Sequence, residues 1–176
     1  MRTICLAVLA AATSGCVSTY RGTAEPAETS IFDKEWCAAK GVPVILQESS
    51  EDCGAAALAM VLSYYGRPVA ASEIASPRAD ALRDFARARG FEAHCICATA
   101  EDLAAELAEG RPVLVGVVKP TLTGAVTHYE VVVGVSDDRV ATIDPARGLM
   151  VNSWEGFLRE WSAADRMAIA ISPRTE

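Results

Sequence analysis

Gln47-Glu48-Ser49-Ser50-Glu51-Asp52-Cys53-Gly54, running straight into Ala55-Ala56-Ala57-Leu58-Ala59-Met60-Val61-Leu62-Ser63-Tyr64-Tyr65-Gly66, is the most informative stretch of the chain. Its first half is polar and rich in helix-capping residues. Its second half is alanine-rich, with Ala57, Leu58, Met60, Val61 and Leu62 at helical spacing, and Gly66 and Pro68 stop it. A cysteine therefore opens a helix. There its sulfur meets backbone N–H groups and the positive end of the helix dipole, and both favour the thiolate, the reactive form. Gly54 has no side chain to obstruct a substrate passing over the sulfur. Gln47, on the incoming loop, can aim its amide at the oxygen of a tetrahedral intermediate, with the Cys53 N–H as second donor.

A thiolate nucleophile needs a partner that takes and returns a proton near neutral pH, and the chain holds two histidines, His94 and His128. His128 opens a β-branched run, His128-Tyr129-Glu130-Val131-Val132-Val133-Gly134-Val135. Asp144 ends the next one, Ile143-Asp144-Pro145. Counting outward from a turn at Asp137-Asp138 in an antiparallel pair brings the two side by side. Asp144 then orients the imidazole, His128 is the base and Cys53 the nucleophile. Alone, each has a plainer reading: a small buried hydrophobe for Cys53, turn chemistry for an Asp before Pro. Their order along the chain raises all of them together.

Outward from this frame, helices are expected over residues 53–65, 80–89 and 99–109, the last capped by Thr99-Ala100-Glu101-Asp102, with a short helical piece at 71–75. Residues 91–98 read as extended, and 112–118, 128–135, 139–143 and 167–171 as strands, with a short helix over 154–161. Helices first and an antiparallel sheet after them make an α+β domain.

The chain has 176 residues, 51% of them hydrophobic, which is enough to build a core. Its net charge of −7 and the lack of a Lys/Arg-rich run offer nothing to a phosphate backbone, so nucleic acid is not an expected partner. Residues 4–12 are an apolar run too short to span a bilayer but suited to a secretory signal. Thr13-Ser14-Gly15-Cys16 resembles the end of a bacterial lipoprotein signal, although Thr13 stands where an apolar residue is usual. That resemblance implies lipidation of Cys16 and, with Val17 next, anchoring to the outer membrane on its periplasmic side; an ordinary cleaved signal is the alternative. The expected plan is a signal over residues 1–15, a lipidated tether over 16–35 and one domain over 36–176. In an oxidising compartment Cys37 is expected either to pair with Cys95 or Cys97 or to stay free, and a zinc site with His94 is weaker.

The block from Gln47 to Gly66, together with His128-Tyr129-Glu130-Val131-Val132 and Asp144-Pro145-Ala146-Arg147-Gly148, resembles the peptidase C39 family. The resemblance covers about residues 44–171. It implies a papain-like cysteine peptidase fold and cleavage of leader peptides after a double glycine, often as the first domain of a peptide-exporting ABC transporter. By that match Cys53 is the nucleophile, His128 the base, Asp144 the orienter and Gln47 the oxyanion-hole side chain. Gly54 and Tyr129 are the candidate substrate contacts, and no metal or cofactor is implied. Two features depart from the family: the stretch between Gly66 and Ala81 is short, and the signal points outside the cytosol. The expectation is thus a stand-alone, lipid-anchored form acting on a peptide or protein beside an export apparatus. An inactive peptide-binding module and a cysteine acyltransferase of the same fold are the rival expectations.

Overall fold

The computed structural model describes residues 22–174. Its strands are β1 (Glu25–Pro26), β2 (Cys37–Ala38), β3 (Phe91–Cys97), β4 (Val113–Pro120), β5 (Ala125–Val135), β6 (Arg139–Asp144), β7 (Gly148–Ser153) and β8 (Met167–Pro173). They form one antiparallel sheet in the order β1-β7-β6-β5-β4-β8-β3, and β2 pairs with the far end of β5.

Among the described residues four α-helices cover the sheet. Ten of the twelve residues of α1 (Cys53–Tyr64), Cys53 to Leu62, are buried. An alanine-rich helix can approach its neighbours closely on every side, so α1 is buried all round rather than amphipathic. With α2 (Ala79–Ala88) it packs Leu58, Leu62, Leu82 and Ala86 on Val131, Val133, Ile143 and Ile169. On the opposite face α3 (Ala100–Ala108) and α4 (Trp154–Ser162) set Leu103, Leu107, Phe157 and Trp161 on Val113, Val115, Val117 and Val132. The start of α3 is the expected reciprocal cap: Asp102 N–H donates to Thr99 Oγ1 at 3.2 Å and Thr99 N–H to Asp102 Oδ2 at 2.8 Å. The Tyr64 and Tyr65 hydroxyls donate to the Gly110 and Ile171 carbonyls, tying the end of α1 to the turn after α3 and to β8.

Two parts differ from expectation. The strand β7 is additional; Leu149-Met150-Val151 is short and ends at Ser153, which caps α4 through the Gly156 N–H, so the run is masked by the helix signal beside it. The expected tether is also not free from residue 22 onward. Pairing of Glu25 with Val151 places β1 against β7, and Phe32 and Trp36 meet edge to face with centroids 5.6 Å apart. Both rings cover Gly134, where a Cβ would lie 2.8 Å from Phe32 and 3.2 Å from Trp36. Scattered polar residues hide these apolar anchors in the sequence. The expected signal and Cys16 lie outside the described residues.

Trp36→Ala removes the plug over Gly134 and is expected to cost about 3 kcal/mol, read as a lowered denaturation midpoint with earlier proteolysis in residues 22–40.

Candidate active site

The sheet leaves a gap where chemistry can happen. Strand β6 pairs with β5 only as far as Ile143 opposite Val131, whereas β4 stays paired down to Pro120 opposite Ala125. Residues 125–130 of β5 therefore have β4 on one side and no strand on the other among the described residues. The first turn of α1 closes on this open edge. Cys53 is 6% exposed there, and backbone N–H groups of Tyr129 and Gly54 are hydrogen-bonded to its sulfur.

No side chain caps α1. Asp52, at the N-cap, instead receives Ser49 N–H at 3.0 Å and Ser49 Oγ–H at 2.7 Å, which folds the incoming loop into a turn. The N–H groups of the first turn are left to the sulfur and to whatever lies over it.

His128 joins this edge from β5. Its Nε2 is 2.8 Å from Asp144 Oδ1, and its ring is also hydrogen-bonded to Cys53, which engages the remaining nitrogen, Nδ1. Asp144 is fully buried and held from two more directions: Ala146 N–H donates to Oδ1 at 2.8 Å and Arg147 Nε to Oδ2 at 2.9 Å. The Asp-Pro-Ala-Arg turn thus fixes the carboxylate that fixes the imidazole.

Burial pushes the Cys53 thiol up and the His128 imidazole down, because both charged forms lose water. The hydrogen bonds work the other way and prevail. His128 draws the thiol below its ordinary value, while Asp144 and Cys53 raise the imidazole to about 9. These directions favour a thiolate–imidazolium pair at the resting site.

A cleft of about 690 Å³ opens over the pair, walled by residues 50–53 and 74–79 on one side and by Gly116, Val117, Thr127 and Tyr129 on the other, with Met167 at its end. The Tyr129 ring lies in this wall, beside the sulfur. Gly54 has a different place from the one expected. It is buried under Tyr129 and Leu82, and a Cβ would lie 3.1 Å from the tyrosine ring, so its small size serves helix packing rather than substrate passage.

Gln47 is not part of the cleft wall. Its backbone N–H donates to the Pro145 carbonyl at 2.8 Å, tying its loop to the Asp144 turn, and its Nε2 donates to the Ser49 carbonyl at 2.8 Å. Cys37, Cys95 and Cys97 are free thiols directed at separate carbonyls, those of Ala104, Ala79 and Asp165. Of the alternatives left open, the structure has the free thiols: Cys37 packs on α3 while the other two lie on the edge strand β3. Among the described residues they do not gather with His94 into a metal-ligand set; His128, Glu130 and Asp144 do lie close together, but Lys119 and Arg147 already hold the two carboxylates. Sequence reasoning missed Glu130 and Arg147. A glutamate inside a β-branched run was the available signal for the first.

A helix-mouth cysteine, an imidazole and a carboxylate on an antiparallel sheet place the site in the papain-like class, and the chain has the corresponding α+β fold. It belongs to the peptidase C39 family, whose model matches residues 41–176. It is similar to the peptidase domain of Streptococcus ComA, a bi-functional ABC transporter involved in a quorum-sensing pathway, at 26% identity and a TM-score of 0.62 over 76% of this chain and 100% of that one. A double glycine motif protease from an AMS/PCAT transporter, solved in complex with the leader peptide, matches at 26% identity and a TM-score of 0.62, over 78% of this chain and 94% of that one. The lactococcin-G-processing and transport ATP-binding protein of Lactococcus lactis subsp. lactis is 26% identical over 68% of this chain, and the match spans 18% of that relative's length.

Replacing His128 with Ala leaves burial of the thiol opposed only by the Tyr129 and Gly54 backbone N–H groups. The ultraviolet thiolate titration, taken as the difference from Cys53→Ser, is expected to move upward by at least about one pH unit, roughly a tenfold loss of thiolate at a fixed acidic pH.

Proposed function

We propose that the chain is a cysteine endopeptidase that cleaves a peptide or protein at a Gly-Gly-like site on the periplasmic side of a bacterial membrane, held there by a lipid on Cys16. The observation that carries the chemistry is the Cys53–His128–Asp144 chain of hydrogen bonds at the mouth of α1. Cys53 thiolate attacks the scissile carbonyl carbon, and the oxyanion is met by first-turn N–H groups. His128 passes its Nδ1 proton to the leaving amine, then takes a proton from the water that attacks the thioester and keeps it; expulsion of the Cys53 thiolate restores the ion pair, and the acid product gives its proton to solvent. A role for Gln47 at the oxyanion requires its amide to turn from the Ser49 carbonyl toward the sulfur.

Support for a glycine-rich cleavage site comes from the narrow end of the cleft. A Cβ on Gly116 would lie 2.6 Å from the Met167 methyl and 4.0 Å from the Tyr129 ring, so these side chains close over a strand position that has no side chain of its own. A chain without side chains fits such a passage. The relative solved with its leader peptide supports the same substrate class. Export rests on residues 4–16, and no described helix is long and apolar enough to cross a membrane. Cys16→Ser is accordingly expected to move the protein from the membrane to the soluble fraction.

Wild-type protein incubated with a library of Gly-Gly peptides is expected to cut after the second glycine, and Cys53→Ala to leave the same peptides intact. Equal cleavage by both ends the peptidase reading. Gln47→Ala is expected to lower kcat by about 10²–10³.

A further inference from the structure

Behind the imidazole lies a second set of charges that the cleavage chemistry does not use. Lys119, on β4, is 1% exposed, and its ammonium sits between Glu130 of β5, at 2.7 Å, and Glu160 of α4. Glu130 is 1% and Glu160 6% exposed. Three charged groups this deep are costly to desolvate, and replacing such a trio with apolar residues is often neutral or stabilising. Their presence calls for a use besides stability.

The geometry supplies one. Glu130 lies two residues along β5 from His128, on the same face of the strand, so that a Glu130 oxygen, a His128 nitrogen and an Asp144 oxygen all lie within 4.8 Å of one another. We propose that Glu130, braced by Lys119 and Glu160, is a positioning residue of the site: its carboxylate is a second negative charge beside the His128 ring and holds the imidazolium protonated next to the Cys53 thiolate. The proposal deepens the peptidase reading and rests on it.

The charges around His128 come from every element packed there. Cys53 stands on α1, Asp144 at the end of β6, Arg147 in the turn beyond it, Glu130 on β5, Lys119 on β4 and Glu160, through Lys119, on α4. Arg147 is committed to Asp144 by its bond to Oδ2. Lys119 opposes Glu130 in part, but the trio of two carboxylates and one ammonium carries a net charge of −1. Burial lowers the Lys119 ammonium, and Glu130 and Glu160 more than restore it, as expected of a cation made to bridge two anions. Tyr129, although next in sequence, turns its ring to the other face, toward Gly54.

The test reads the ring itself rather than cleavage. His128 and His94 are the two histidines of the chain, so His94→Gln assigns the His128 ring signals in a proton-NMR pH titration of the otherwise intact protein. Glu130→Gln is expected to lower the His128 titration by about one pH unit or more, the usual effect of losing an opposite charge at this range. Should that variant not fold, the neutral triple variant Lys119→Met, Glu130→Gln, Glu160→Gln removes the same net charge with an apolar filling, and the same downward shift is expected. A role confined to packing predicts a changed melting temperature with His128 titrating as in wild type; that result in either folded variant overturns the proposal. A shifted ring in a protein that cuts no peptide would uphold this inference and sink the peptidase reading, and an unshifted ring in an active peptidase would do the reverse.

Discussion

A sulfur that is nearly out of contact with water should be a poor nucleophile, because burial favours the neutral thiol. Cys53 escapes this because each neighbour within reach is a donor: two backbone N–H groups, the dipole of a helix left uncapped, and an imidazolium. The imidazolium faces the same penalty and is relieved by carboxylates. Neither charge is stable in this place without the other. The pair is therefore the constraint to which the surrounding structure answers: the open edge of β5, the turn that clasps Asp144, and the absence of a capping side chain at Asp52 each leave a polar group aimed at it.

Topology does the positioning. Since β6 ends at Asp144 and β5 continues toward Ala125, the sheet has a notch one strand wide, and the N-terminus of α1 is the element that fits it. The strand that carries His128 on one face carries Tyr129 on the other, so one element supplies both the base and a wall of the cleft. Helix α1 is fixed to this edge over its whole length by close alanine packing. Gly54 lets the Tyr129 ring come down onto the helix start, and in doing so it draws the Tyr129 N–H toward the sulfur. The substrate path and the ionisation of the nucleophile thus depend on the same close contact.

Cys53, His128 and Asp144 were readable from the chain because their residue types are scarce and their surroundings specific: a cysteine at a helix start, one of two histidines at a strand start, an acid at the end of the partner strand. Pairing across the Asp137-Asp138 turn follows from hairpin arithmetic, even though a bulge near Val133 shifts the register along the way. Glu130 was marked only by its place inside a β-branched run, and Lys119 and Glu160 were not readable. Each looks like an ordinary solvated charge until α4 is laid over β4 and β5, and that packing joins residues 41 positions apart. The folded arm over residues 22–38 was hidden for a related reason: its anchors, Phe32 and Trp36, are isolated apolar residues whose partner, the bare backbone at Gly134, gives no sign in the sequence that it needs covering.

The most direct test of the thiolate–imidazolium account is a competition among the thiols of one protein. Wild-type protein is treated at mildly acidic pH with a limiting amount of a small alkylating agent, and the modified cysteine is mapped by peptide mass spectrometry. Cys53, although buried, is predicted to be labelled ahead of the exposed Cys95 and Cys97 and of Cys37. Labelling that follows exposure, with Cys95 and Cys97 first and Cys53 spared, would contradict it.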